Sequence, residues 1–106
     1  MSPLMAVLVD ELREYPHVRF RVKHWCHMVS DDSFEELHAF AAALGIPSSR
    51  FQRDHYDLHP QLRADAVARG ALEVTIHDLS LRMAGPRGER NRQRHAQRAR
   101  RLSAGR

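Results

Sequence analysis

The stretch VRFRVKHWCHMVSDDSFEELHAFAAALGIP, residues 18–47, contains the change of periodicity on which the fold is read. Val18, Phe20 and Val22 alternate with Arg19, Arg21 and Lys23, which predicts a strand with one apolar and one basic face. His24-Trp25-Cys26-His27-Met28-Val29 continues it after a bend, because an unbroken run of that length exceeds the usual strand. Phe34, Leu37, Phe40, Ala41 and Leu44 then fall on one helical face. Both Asp32 with Glu35 and Ser33 with Glu36 have the spacing of a capping box, so the helix start is marked and its register left open. Gly45-Ile46-Pro47 ends it with a left-handed cap, an apolar contact and a residue that cannot continue.

Upstream, Met5-Ala6-Val7-Leu8-Val9 is apolar at every position, as a central strand covered on both faces would be. It stops at Asp10, on the strand edge where open α/β sheets bind ligands, and Leu12 to His17 reads as a loop. Downstream, Arg50-Phe51-Gln52 reads as a short strand leading into Asp54-His55-Tyr56-Asp57. Pro60 opens a second helix to about Arg69, closed by Gly70. Ala71-Leu72-Glu73-Val74 is a fourth strand, and Thr75 with Asp78 caps a third helix carrying Ile76, Leu79 and Met83. This order predicts a small single α/β domain over residues 4–85, a mainly parallel four-stranded sheet with three helices. Residues 86–106 lose the apolar pattern and read as a disordered, Arg-rich tail.

Charge divides the same way. Residues 1–85 hold nine Lys/Arg against twelve Asp/Glu, a net of −3, and residues 86–106 hold eight Arg against one Glu, a net of +7. A nucleic-acid interface therefore rests on the tail, on Arg90, Arg92, Arg94, Arg98, Arg100 and Arg101. The bland alternative is a solubilising extension. Cys26 is the one cysteine, so no disulfide closes within the chain, and a reducing cytoplasmic location is expected. The N-terminus reads as the run-in to a strand and not a signal peptide, and no run is long enough to span a membrane.

The residues that carry chemistry are Asp10, His27, His55 and Asp57. Loops at one sheet edge would bring two imidazoles and two carboxylates together, a mixed N/O set suited to Zn or Mn, or to Fe or Ni. Without a metal, a His–Asp pair is an oriented general base. Trp25, Tyr56 and Asp54 would line the binding pocket, the two rings as stacking surfaces. Structural alternatives stand beside each: Asp57 as the cap of the second helix, Asp10 as a strand end in water, His27 as a histidine bonded to backbone, Trp25 as core.

Val7-Leu8-Val9-Asp10, Trp25-Cys26-His27-Met28-Val29-Ser30-Asp31, Glu36-Leu37-His38-Ala39-Phe40-Ala41, His55-Tyr56-Asp57, Gly70-Ala71 and Val74-Thr75 together resemble the domain of unknown function 4031 family of short bacterial and phage proteins. The resemblance covers residues 5–84 and leaves the tail outside. Its motifs are W-x-H-[LM]-x-[SA]-D and H-Y-D; Cys26 stands where Ser is more usual, which argues against a catalytic thiol. The resemblance implies marked positions and no reaction.

Two functions follow from these residues as expectations. One is a metal-dependent hydrolase or phosphoesterase acting on a nucleotide or nucleic acid. The other is a non-catalytic nucleotide- or nucleic-acid-binding module, or an accessory interaction protein.

Overall fold

The structure, a computed structural model, describes residues 6–105; Met5, at the head of the expected first strand, and Arg106 lie outside them. Strand β1 (Val7–Val9) is buried along its whole length, as its apolar run requires. Val7 and Val9 join Cys26, Met28, Tyr56 and Leu58 in the main core, under Leu37, Ala41 and Ala66 from two helices. Leu8 faces the other way and packs with Val29, Leu79 and Met83.

The domain is α/β, but its sheet is not mainly parallel. Among the described residues it has five strands: β1, β2 (Arg13–Glu14), β3 (His24–Ser30), β4 (Tyr56–Leu58) and β5 (Leu72–Glu73). The central β3 pairs antiparallel with β1, β2 and β4, and only β1 with β5 is parallel. A period-two pattern is the same for both directions, so residue spacing carries no information on strand sense. Between β1 and β3 no helix makes the crossover that parallel pairing needs.

Two strand boundaries also differ. Residues 18–23 form a bend and irregular backbone rather than a strand, and β3 begins at His24, partnered by β2 where a loop was expected. Tyr15 N donates to Lys23 O at 2.7 Å and Trp25 Nε1 to Val22 O at 3.1 Å, closing the excursion over the sheet. Of the expected strand at 50–52, Arg50 ends a 3₁₀ turn (Ser48–Arg50) and only Gln52 pairs, in a single β-bridge to His55, and the polar cluster at 54–57 enters β4 itself.

Helix α1 (Phe34–Ala43) settles the open register: Ser33 Oγ accepts from Glu36 N, and Gly45 takes φ 79° at the stop. In α2 (Pro60–Ala68) Pro60 opens the helix as read, but the cap is His59, whose side chain accepts from Leu62 N. Asp57 is thus free of the capping role. Helix α3 (Ile76–Arg82) starts on Thr75.

The described residues form four helices, not three. The stretch expected to be a disordered tail forms α4 (Pro86–Ala104). Its arginines, glutamines and alanines are good helix formers, and Pro86 sits where its missing N–H costs nothing. Burial of apolar surface is not what anchors it. Arg92 Nη1 donates to Leu81 O and Met83 O at 3.1 and 3.0 Å, and Asn91 Nδ2 to Ser80 O at 2.9 Å, so α4 satisfies the free carbonyls ending α3. Gly88 permits the approach, since a Cβ there would stand 1.8 Å from Met83 O. No helix among the described residues is long and apolar enough to cross a membrane.

Candidate metal centre

The pleat of β3 and β4 sorts the site from the core. Cys26, Met28, Tyr56 and Leu58 point into the main core, while Trp25 and His27 on β3 and Asp57 on β4 take the opposite face. His27 and Asp57 are register partners, which brings an imidazole from one strand and a carboxylate from the other side by side. Val29, next on that face, is covered by α3, and the Trp25–His27 end stays open.

His55 arrives from a tight turn. Gln52 and His55 exchange backbone hydrogen bonds at 2.9 and 3.2 Å, with Arg53 at φ 60° between them. A non-glycine residue in the left-handed region costs about 1–3 kcal/mol. The turn tucks Asp54 beneath His55, and Asp54 is only 2% exposed.

One nitrogen from each of His27 and His55 and one oxygen of Asp57 lie within 4.8 Å of one another. Ligand bonds of about 2.0–2.2 Å place ligand atoms about 3–4 Å apart, so small side-chain rotations close the set on one ion. Three protein ligands beside a cleft leave coordination positions for water or substrate, as catalytic sites do.

Each of the three has a partner that holds it. Asp10 is fully buried; its Oδ1 accepts from His27 N at 2.6 Å, and its Oδ2 meets His27 Nδ1 at 2.8 Å. This fixes the ring with Nε2 as its free nitrogen. Asp54 Oδ1 meets His55 Nδ1 at 2.9 Å and directs Nε2 toward Asp57 Oδ1, 3.2 Å away. Gln52 Nε2 donates to Asp57 Oδ2 at 2.9 Å. Behind Asp54, Arg87 from α4 closes a fork, Nε to Oδ2 at 3.0 Å and Nη2 to Oδ1 at 2.7 Å. Arg63 Nε donates to Asp10 O at 2.8 Å.

Charge in the cluster follows these contacts. The hydrogen bond to Asp57 raises the His55 pKa above its ordinary 6.5, burial opposes it, and the bond to Asp54 adds to the rise. Asp57 is lowered from 3.8, first by the His55 bond, against burial. Three carboxylates, of Asp10, Asp54 and Asp57, thus surround the two imidazoles, and Arg87 pairs with Asp54. Burial and the Asp10 charge push the Cys26 thiol up to about 12, away from nucleophilic use.

An open cleft of about 740 Å³ borders His27, His55 and Asp57, and Trp25 lines it. A smaller cavity of about 230 Å³ on the other side of the two imidazoles meets Arg87 and Asn91. The residues expected at the site therefore separate. His27, His55 and Asp57 converge, and Asp10 stands behind His27 instead of beside the shared point. Asp54 is a buried support. Tyr56 is 1% exposed on the core side, its hydroxyl 2.8 Å from His38 Nδ1, so it does not line the cleft. Phe20, Arg50, Gln52, His59 and Arg87 were not singled out as site residues by the sequence; the alternation over residues 18–23 signalled an apolar face with Phe20 and a basic face with Arg21, and both residues line the cleft.

A family model described as protein of unknown function (DUF4031) matches residues 7–85. The chain belongs to that family. The matched span contains Asp10, His27, Asp54, His55 and Asp57 and ends before α4, so Arg87 reaches the family's part of the chain from outside it. No curated protein and no solved structure matches the chain.

Proposed function

We propose that this protein is a metal-dependent hydrolase of phosphoesters, with His27, His55 and Asp57 holding one divalent cation, Zn or Mn. The observation that carries the reading is the paired support of all three ligands: Asp10 behind His27, Asp54 behind His55, Gln52 behind Asp57. Metal-binding histidines are oriented by such carboxylates. A bound cation would polarise the phosphoryl group and lower the pKa of its water to about 7. Water oxygen forms the new P–O bond as the ester P–O bond breaks, and the open cleft passes the proton lost by water, and the one gained by the leaving oxygen, to and from solvent. The test is turnover of bis(p-nitrophenyl) phosphate by protein loaded with Mn or Zn. Release of nitrophenol that His55→Ala abolishes supports the reading; equal rates from both proteins overturn it.

A second reading, a nucleic-acid-binding module without turnover, is favoured by α4. Arg90, Arg94, Arg98 and Arg101 recur every three or four residues along an exposed face. Arg92 is occupied at α3. Replacing Arg94, Arg98 and Arg101 with Gln should weaken oligonucleotide binding and flatten its salt dependence, by a slope of about 0.9 per lost phosphate contact. Oligonucleotide binding without any phosphoester cleavage would favour this reading over the first.

A further inference from the structure

The alternation Val18, Phe20, Val22 has no core to serve. These side chains line the open cleft beside the metal ligands, where Phe20 is 63% and Val22 38% exposed. Phe20 and Trp25 meet with ring centroids 5.6 Å apart and tilted, and His59 abuts Trp25 edge-on at 6.1 Å. Arg21 and Arg50, both exposed, stand at the same cleft. An aromatic wall left open in a cleft that also holds two guanidinium groups fits a ligand that is a flat ring at one end and an anion at the other.

The spacing makes the two ends part of one ligand. Trp25 and His27 are alternate residues on one face of β3, so the ring wall and the metal ligand are about 7 Å apart along the strand. A sugar bridges such a gap between a base and a phosphate. The cleft's volume of about 740 Å³ is within the range of small-ligand sites, about 300–1,000 Å³.

We infer that this cleft is a nucleotide site, in which a nucleobase stacks on Phe20 and Trp25 while its phosphate points to His27, His55 and Asp57. This deepens the hydrolase reading by naming the substrate class, and it rests on that reading only for the phosphate end. Free nucleotides and the end of a nucleic-acid strand share this chemistry.

Trp25 is the chain's one tryptophan, so its fluorescence reports stacking in the cleft and nowhere else. The experiment titrates the full chain, in EDTA, with AMP, adenosine, ribose 5-phosphate and a short oligo(dT). AMP and adenosine should both quench Trp25, AMP at the lower concentration because Arg21 and Arg50 remain for its phosphate when no metal is present, and ribose 5-phosphate should leave it unchanged. Phe20→Ala should weaken AMP about 5- to 150-fold, the range of one base stack. Phe20→Tyr should restore it. Phe20 is exposed, and circular dichroism checks that both variants are folded. Oligo(dT) at least tenfold tighter than AMP, and weakened equally by Phe20→Ala, identifies a strand end as the ligand; equal affinities identify the free nucleotide. Oligonucleotide binding that neither quenches Trp25 nor responds to Phe20→Ala belongs to α4 and overturns the inference. Absence of quenching by AMP overturns it too. Because the readout is metal-free, quenching can persist where metal binding and turnover fail, so the two readings fall separately.

Discussion

Arg87 closes a two-bond fork on Asp54, at 3.0 and 2.7 Å, and Asp54 in turn holds His55 Nδ1 at 2.9 Å. A residue beyond the family's matched span thus stabilises the carboxylate that orients His55, a proposed metal ligand within it. Arg87→Ala would leave Asp54 charged, nearly inaccessible and without its guanidinium. Removing a supporting partner of this kind costs about 10- to 100-fold in metal affinity. Arg87→Lys should recover only part of it, because an ammonium cannot make the fork. Metal affinity of the three proteins by competition with a chelating dye checks this, and equal values would show that Arg87 only fastens α4.

Asp10 tests the other imidazole. In Asp10→Asn the amide oxygen can still accept from His27 N, but its NH₂ group then faces Nδ1 and moves the ring proton to Nε2, the nitrogen that should bind metal. Metal affinity should fall about 10- to 100-fold while secondary structure is kept. Unchanged affinity would remove Asp10 from the site.

In metal-free protein the pair His55–Asp57 should leave a pH signature. The raised His55 pKa gives stability that is fully present below 6.5 and lost as pH rises through the folded-state value. The lowered Asp57 pKa gives stability that is present above 3.8 and lost as pH falls through its folded-state value. The pair therefore contributes most between about pH 4 and 6.5. Urea midpoints in EDTA across pH 3–9 for wild type and His55→Gln should diverge most in that window. Parallel curves at all pH values would contradict the pairing.

Cys26 is 1% exposed and its thiol is pushed up to about 12. Native protein at pH 8 should not react with a disulfide exchange reagent over the minutes in which urea-unfolded protein gives one thiol per chain. Fast labelling of folded protein would mean that the core opens around β3.

Parts of this molecule were legible in its residues and parts were not. The ends of α1 were, because a capping serine and a Gly-Ile-Pro stop act locally. The meeting of His27, His55 and Asp57 was legible in part: they were expected at one sheet edge with Asp10, and three of the four converge while Asp10 stands behind His27. Strand direction was not, because alternation fixes which face a side chain takes and not which way the neighbour runs. The alternation at Val18 to Val22 was read as a sheet strand, whereas it lines a cleft; periodicity cannot tell core from ligand. Tyr56 was expected beside His55 and Asp57, and one step of the pleat sends it to the core. The order in α4 comes from hydrogen bonds to the end of α3, which apolar content does not reveal.

The central claim is a cation held by His27, His55 and Asp57. Its most direct test is the metal content, by mass spectrometry, of untagged protein reconstituted with Zn or Mn and freed of loose ions, measured beside His55→Ala. One equivalent per chain in wild type, lost in the variant, is the predicted result. No retained metal in wild type, with no rise in melting temperature on adding either ion, would contradict it.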